Sequence, residues 1–422
     1  MTSSSVWTWL PQHHAPVRCG VFALERGVGT FAYDGEYRQR ADAVALDPVN
    51  LPFTRSQRPA KETRQNGLFG VFRDASPEGF GLAMLEAMHH KSLASPLDRL
   101  EASVGDAVGA IEVCDDIERK LRWDAPSSED LVAALRDLAP EQSPTAAARA
   151  VVKVQGTSLG GERPKLTVRH DGQLWIAKLQ LRGDAPHAPL REYAAMQCAA
   201  AAGVEVAETR FVRAGSRELL LVRRFDRHIG GDGHFRRRLY ASAHTVLRLD
   251  AADMRGDPRR SYVALCHELR RWCARADAPV LEQQRELYRR MVVNAVCGNG
   301  DDHPRNHGLV LVDDRWRLSP AFDIAPHIVF SETLAMSVNR RGDSAVRASA
   351  LLQDCESFGY SREEALALID ASMAAVARRW PQALQEAGFP ADILPAPASA
   401  RWIKLDEALA EPPPRGRRLR SG

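Results

Sequence analysis

The stretch GNGDDHPRNHGLVLVDDRWRLSPAFDIAP, residues 298–326, carries acids on both sides of a short apolar segment. GLVLV and RWRLS flank Asp313-Asp314, a turn signal, so the pair is predicted to form a β-hairpin. A hairpin brings its open ends together. Asn306, just before the first strand, and Asp323, just after the second, are therefore expected to be neighbours, with Asp301 on the loop feeding the same end. Close carboxylates repel unless a cation sits between them. Two carboxylates and an amide oxygen suit a hard ion, Mg2+ or Mn2+, rather than zinc. Each aspartate taken alone reads better as a turn or cap residue. The set, at both ends of one hairpin, is what points to a site.

The spacing adds to this. Asp301-x-x-x-x-Asn306 is the Asp-to-Asn spacing of protein-kinase catalytic loops, and Asp323 stands where a kinase places its metal-binding Asp. A nucleotide needs a cation as well. In QLWIAKLQL (173–181), Leu174, Ile176 and Lys178 share one face by period-two alternation. An inward-facing ammonium is costly unless paired. ATP phosphates would satisfy it, and so would Glu192 near the start of the next helix; a lysine reaching solvent from an edge strand is the alternative. One hairpin earlier, GTSLGGERPK (156–165) offers Gly156, Gly160 and Gly161, small enough for backbone amides to approach phosphates, with Lys165 adding charge. It is not GxxxxGK[ST], so a P-loop ATPase is not indicated. A phosphate on Thr157 or Ser158 would clash with bound nucleotide and act as an off switch.

A chain of 422 residues suggests two or three domains. Apolar content of 45% and charged content of 26% are those of a globular protein, and a net charge of +3 does not argue for nucleic acid or membrane. The seven cysteines are scattered and form no CxxC pair, which speaks against a disulfide framework or a zinc site. No signal peptide is evident and no stretch approaches the ~20 apolar residues of a membrane span, so a cytoplasmic location and no membrane partner are expected.

Alternation over 17–48 predicts a small antiparallel sheet. Around Leu68 to Met88 the spacing turns helical, with Ser76 as an N-cap ahead of Pro77. A strand is predicted at 104–113, and a domain boundary inside 115–148. Residues 150–225 read as strands, a glycine loop and one helix that starts near Pro189 and stops at Gly203. From 226 to about 395 helical periodicity dominates, with the opening hairpin as the clear strand pair. Arg236-Arg237-Arg238 is expected to be solvated. The proline-rich basic end, EPPPRGRRLRSG, is expected to be a frayed tail.

With these pieces in order, the chain resembles the HipA family, the serine/threonine kinase toxins of bacterial toxin–antitoxin pairs. TSLGGERPK, WIAKLQ, LLVRRFDR, NGDDHPRNHG and LSPAFDIAP carry the resemblance, and FRDASPEGFG looks like that family's small N-terminal subdomain. The resemblance implies an α+β, kinase-like two-lobed fold: an N-terminal β-rich subdomain (1–125), a β-rich N-lobe (148–225), a mainly helical C-lobe (226–395) and a flexible basic tail (396–422). Asp301 would orient the acceptor hydroxyl, with His303 and Arg305 orienting Asp301 or touching a phosphate. Asn306 and Asp323 would hold Mg2+. Lys178 would grip the ATP phosphates, supported by Glu192, while Gly160, Gly161 and Lys165 cover them, and Val222 to Phe225 would line the adenine pocket. Ser158 matches the family's inhibitory autophosphorylation serine. The implied partners are a small DNA-binding antitoxin (HipB-like), operator DNA through it, and a translation protein as substrate, aminoacyl-tRNA synthetases among them. Arg223 stands where a carboxylate is common. A lipid or small-molecule kinase, or a catalytically idle nucleotide-binding partner of an antitoxin, are the competing expectations.

Overall fold

The computed structural model describes residues 2–54, 58–138, 145–146, 159, 163–181, 183–250, 256–273, 280–327 and 331–397. Ser158, Gly160, Gly161 and nearly all of the basic tail therefore lie outside the described residues.

The N-terminal part is an antiparallel sheet of β1 (Thr2–Trp9), β2 (Pro16–Glu25), β3 (Val28–Tyr33), β4 (Ala60–Glu62) and β5 (Ile111–Val113), in the order β4-β3-β2-β1-β5. The alternation over 17–48 corresponds to β2 and β3; β1, with its run of serines, was not anticipated. Five short helices complete this part: α1 (Gly35–Gln39), α2 (Gly70–Ala75), α3 (Gly79–His89), α4 (Pro96–Ala102) and α5 (Ile117–Leu121). Phe22, Phe31, Phe69 and Phe72 pack edge-to-face at 5.2 to 6.4 Å between ring centroids, fixing α2 to the sheet.

Two expectations need correction here. Ser76 closes α2 instead of capping α3: it is extended ahead of Pro77, and the chain enters α3 through Glu78 and a left-handed Gly79 at φ +53°. The strand predicted over 104–113 shrinks to β5. Its first half leaves strand geometry because arginine side chains take its carbonyls. Arg224 donates to Asp106 and Ala107, Arg227 to Ala107 and Gly109, and Arg237 to Gly105. These arginines share buried acids. Arg224 and Arg227 both pair with Asp226, whose carboxyl burial would raise but which the two guanidiniums hold below the usual carboxylate range. Arg237 joins Glu112, itself paired with the buried Lys120. The arginine triplet is therefore a set of cross-links, with Arg236 paired to Asp232 and Arg238 donating to the Phe225 carbonyl.

The middle sheet runs β6 (Lys165–His170), β7 (Gln173–Leu179), β9 (Arg217–Arg223), β8 (Thr209–Ala214). Its β6–β7 turn is Asp171-Gly172, both at positive φ, the primed geometry that matches strand twist. Trp175, Ala177 and Leu179 pack outward against Leu131 and Leu135 of α6 (Ser128–Asp137). The other face meets α7 (Ala188–Ala201), where Leu190 and Ala194 join Leu220 and Val222 in the main core. The period-two reading of β7 holds, with Lys178 on the inner face.

The rest is mainly helical: α8 (Ala243–Val246), α9 (Tyr262–Trp272), α10 (Val280–Cys297), α11 (Ala348–Leu352) and α12 (Arg362–Glu386). The predicted hairpin is β13 (Gly308–Val312) and β14 (Arg315–Leu318), turning on Asp313 and Asp314 at φ +47° and +63°. It is not alone. A small ribbon of β10 (Arg227–Ile229) and β11 (Phe235–Arg237) precedes it, and β12 (Tyr240–Ser242) extends it to three strands.

All seven cysteines are buried and free. Burial pushes the Cys266 thiol up to about 11 and the Cys273 thiol up to about 12, suppressing the reactive thiolate. A disulfide reagent such as Ellman's is expected to release no colour from the native protein over minutes and to titrate all seven thiols after denaturation; fast native labelling contradicts this burial.

Candidate active site

Lys178 is the centre of the arrangement. Its Nζ lies 2.5 Å from Glu192 Oε1 on α7 and 2.5 Å from Asp323 Oδ1 beyond β14, joining both lobes through one ammonium. Lys165 sits directly opposite Lys178 in the β6–β7 register, so two like charges point the same way. Burial depresses the Lys165 ammonium, Asp323 opposes that, and Lys178 adds to it. Burial also works against charge on Lys178, but Asp323 and Glu192 outweigh it and raise its pKa above the ordinary lysine value. Of the two carboxylates, Asp323 is held below its usual range by Lys178 and Lys165 in spite of burial, whereas burial pushes Glu192 up.

Asp323 has φ +62°, a left-handed backbone that aspartate tolerates better than most residues. Its carbonyl accepts from Asn299 Nδ2 at 3.4 Å, and Asn299 also donates to Asn294 Oδ1 at 3.0 Å. On the other side of the hairpin, Ser319 N donates to Gly308 O at 2.8 Å, closing the strand ends as expected. Asn306, buried in the short turn Pro304–Asn306, donates from Nδ2 to the Asp301 carbonyl at 3.3 Å, which leaves its amide oxygen out of that bond. Asp301 itself is exposed. His303 Nδ1 is buried with no hydrogen-bond partner among the described residues, and the ring lies close enough to Asp323 to favour its charged form.

Asp301 is not among the hydrogen-bond partners of Arg305 in the described residues. Its guanidinium pairs with Glu78 at the α2–α3 junction. Val222 is buried at the end of β9, and Phe225 meets Phe322, beside Asp323, in a tilted contact at 5.4 Å between ring centroids. Arg223, at the end of β9, pairs with Glu208, just ahead of β8, at 3.1 Å.

Sequence reasoning missed the support behind the loop. Asp302 is buried, accepts from the Tyr262 hydroxyl and pairs with His307 Nε2 at 2.9 Å; Asn294 Nδ2 reaches the same hydroxyl at 3.3 Å. Together with Asn299 this makes an unbroken hydrogen-bonded path from Asp302 to the Asp323 backbone. The doubled acid at 301–302 was a signal, but which acid turns inward depends on α9.

Comparison with known proteins places this geometry. Residues 157–380 match the HipA-like C-terminal domain, and residues 14–114 match the HipA N-terminal domain. The chain belongs to the HipA family. A chain of the Shewanella oneidensis MR-1 toxin–antitoxin complex of HipA, HipB and operator DNA superposes with a TM-score of 0.67 over 96% of this chain and 99% of that one, at 18% identity. At that identity the likeness establishes the kinase-like HipA fold. Y4mE of Sinorhizobium fredii, a proposed kinase, is 28% identical over 158 residues, which are 35% of each protein. The match thus spans about a third of the length of that curated relative. No helix among the described residues is long and apolar enough to cross a membrane.

Proposed function

We propose that the chain is an ATP- and Mg2+-dependent serine/threonine protein kinase acting as the toxin of a toxin–antitoxin pair. The observation that carries this is the ammonium of Lys178 held between Glu192 and Asp323. A lysine from a sheet, a helix glutamate and an aspartate after a hairpin are the parts that phosphoryl transfer needs around a nucleotide.

The donor set fits the group it would hold. Asp323 and the amide oxygen of Asn306, which takes no part in the Nδ2 bond to Asp301, are hard oxygen donors of the kind Mg2+ takes. Mg2+ held by Asn306 and Asp323 would neutralise charge on the β- and γ-phosphates. Lys178 then releases Asp323 and grips the α- and β-phosphates while Glu192 keeps its ammonium oriented. Lys165, with Gly160 and Gly161, covers the phosphates. Val222 and Phe225 line the adenine, with Phe322 behind Phe225. Asp301, which is exposed, aligns the acceptor hydroxyl, and His303 stands beside Asp323. Positioning and electrostatics carry most of the rate. Phosphorylation of Ser158 would switch the enzyme off.

The relative in complex with HipB and operator DNA supports a small DNA-binding antitoxin as partner. The protein substrate is a translation protein in the cytoplasm. Incubation with γ-labelled ATP and bacterial lysate, followed by separation into protein and organic fractions, tests the reading. Label is expected in protein at serine or threonine; label confined to organic-soluble or small-molecule fractions overturns it.

A further inference from the structure

We propose that Glu78 is a positioning residue for phosphoryl transfer: through Arg305 it lets the N-terminal subdomain hold the catalytic loop in register. This rests on the kinase reading above. Arg305 lies in the short turn between Asp301 and Asn306, so whatever fixes its guanidinium fixes the residues on either side. Glu78 meets both terminal nitrogens of that guanidinium from the opposite subdomain. Its backbone is extended, at the point where the chain leaves α2 and has not yet entered α3.

Glu78 is one end of a wider grip. Four residues earlier, Asp74 accepts from Ser242 N and Ser242 Oγ, both at 2.7 Å. Ser242 pairs with Gly308 in the β12–β13 register, and the next residue, Ala243, donates to the His307 carbonyl at 2.8 Å. Arg73 donates to Thr245 Oγ1 at 3.1 Å and to the Leu249 carbonyl at 3.3 Å. Gly70 permits this approach, because a Cβ there would come within 2.5 Å of Thr245 Cγ2. The helix α2 therefore holds α8 and β12, the strand paired with β13, while Glu78 holds the turn just before β13. The turn that carries Arg305 and Asn306 is thus held by a subdomain that carries none of the other site residues.

Side-chain exposures of 31% and 35% leave the Glu78–Arg305 pair partly solvated, so its contribution to folding is screened and modest. A displacement of about 1 Å in a catalytic group, by contrast, costs about 100-fold in rate. The two roles thus differ in what they move.

The test uses the full chain, with label transfer from Mg2+-ATP into lysate protein as the readout of turnover. Glu78→Gln is expected to lower turnover about 10- to 100-fold with KM for ATP within about twofold. Its melting temperature is expected to stay within about 3 °C of the unsubstituted chain. The reversed pair Glu78→Arg with Arg305→Glu is expected to regain a large part of the loss, since Arg73 and Asp74 flank either orientation. Unchanged turnover in Glu78→Gln overturns the proposal, as does a loss matched by collapse of the melting temperature or of ATP affinity. Asp323→Ala in the same assay separates the two readings. If it too is active, the kinase assignment fails; if it is inactive while Glu78→Gln is normal, only the positioning role fails.

Discussion

Asp323→Ala is expected to lower phosphoryl transfer by about 10³-fold or more, since on the proposed reading it removes a metal ligand together with the charge that terminates the Lys178 bridge. The folded chain should survive the change. Glu192 remains to pair with Lys178, and Asp323 is not a core residue: 35% of its side chain is exposed. The measurement is transfer of label from Mg2+-ATP at saturating nucleotide, alongside a melting curve. Asp323→Asn distinguishes charge from shape, because the amide keeps the side chain's size, leaves the Asn299 bond to the backbone carbonyl in place and loses the carboxylate's charge. Full activity in either variant removes the assignment of this carboxylate to the metal.

Lys178→Met is expected to act on both activity and folding. Without the ammonium, Glu192 and Asp323 face each other across a partly buried space with Lys165 as the nearby cation. Breaking a fully buried pair costs about 3–5 kcal/mol. The exposure of Asp323 reduces this, and a loss of about 2 kcal/mol at neutral pH is expected. Turnover is expected to fall by about 100-fold or more, as for removal of a preorganised electrostatic contact.

The pH dependence gives this variant a distinct signature. Asp323, with its folded pKa lowered, contributes stability that is present above the unfolded carboxylate value and is lost as pH falls through the folded value. Lys178, with its folded pKa raised, contributes stability that is present below the unfolded lysine value and is lost as pH rises through the folded value. The natural chain should therefore keep this contribution across the neutral range and lose it at acid pH. In Lys178→Met the acid limb reverses: two carboxylates lacking their ammonium gain by protonation, so stability should rise between about pH 7 and pH 5. Denaturant midpoints across that interval decide it. A variant that weakens toward acid as the natural chain does would show that Lys178 does not neutralise these carboxylates.

Much of the site was legible along the chain because its signals are local. Asp313-Asp314 and Asp171-Gly172 are two-residue turns whose positive φ angles are a property of short polar or glycine residues, and each sets its hairpin's register. Register in turn dictates faces, so the inward direction of Lys178 followed from alternation with Leu174 and Ile176. Glu192 was within reach because one helix follows one strand. Local signals misled where distant groups intervene. The extended look of residues 104–110 gave way to arginines more than a hundred residues away, and Ser76 lost its capping role where Glu78 turned toward Arg305.

Hairpin turns, strand faces, the Asp301 to Asn306 spacing and the separation of a sheet-rich half from a helical one are written in short-range preferences of a few residues each. The commitments of Arg305 to Glu78, of Asp302 to Tyr262 and His307, and of Asp226 to its two arginines needed the folded chain. Each joins charged or polar groups whose choice of partner among many equivalent ones is made by packing, which exists only once the layers have met.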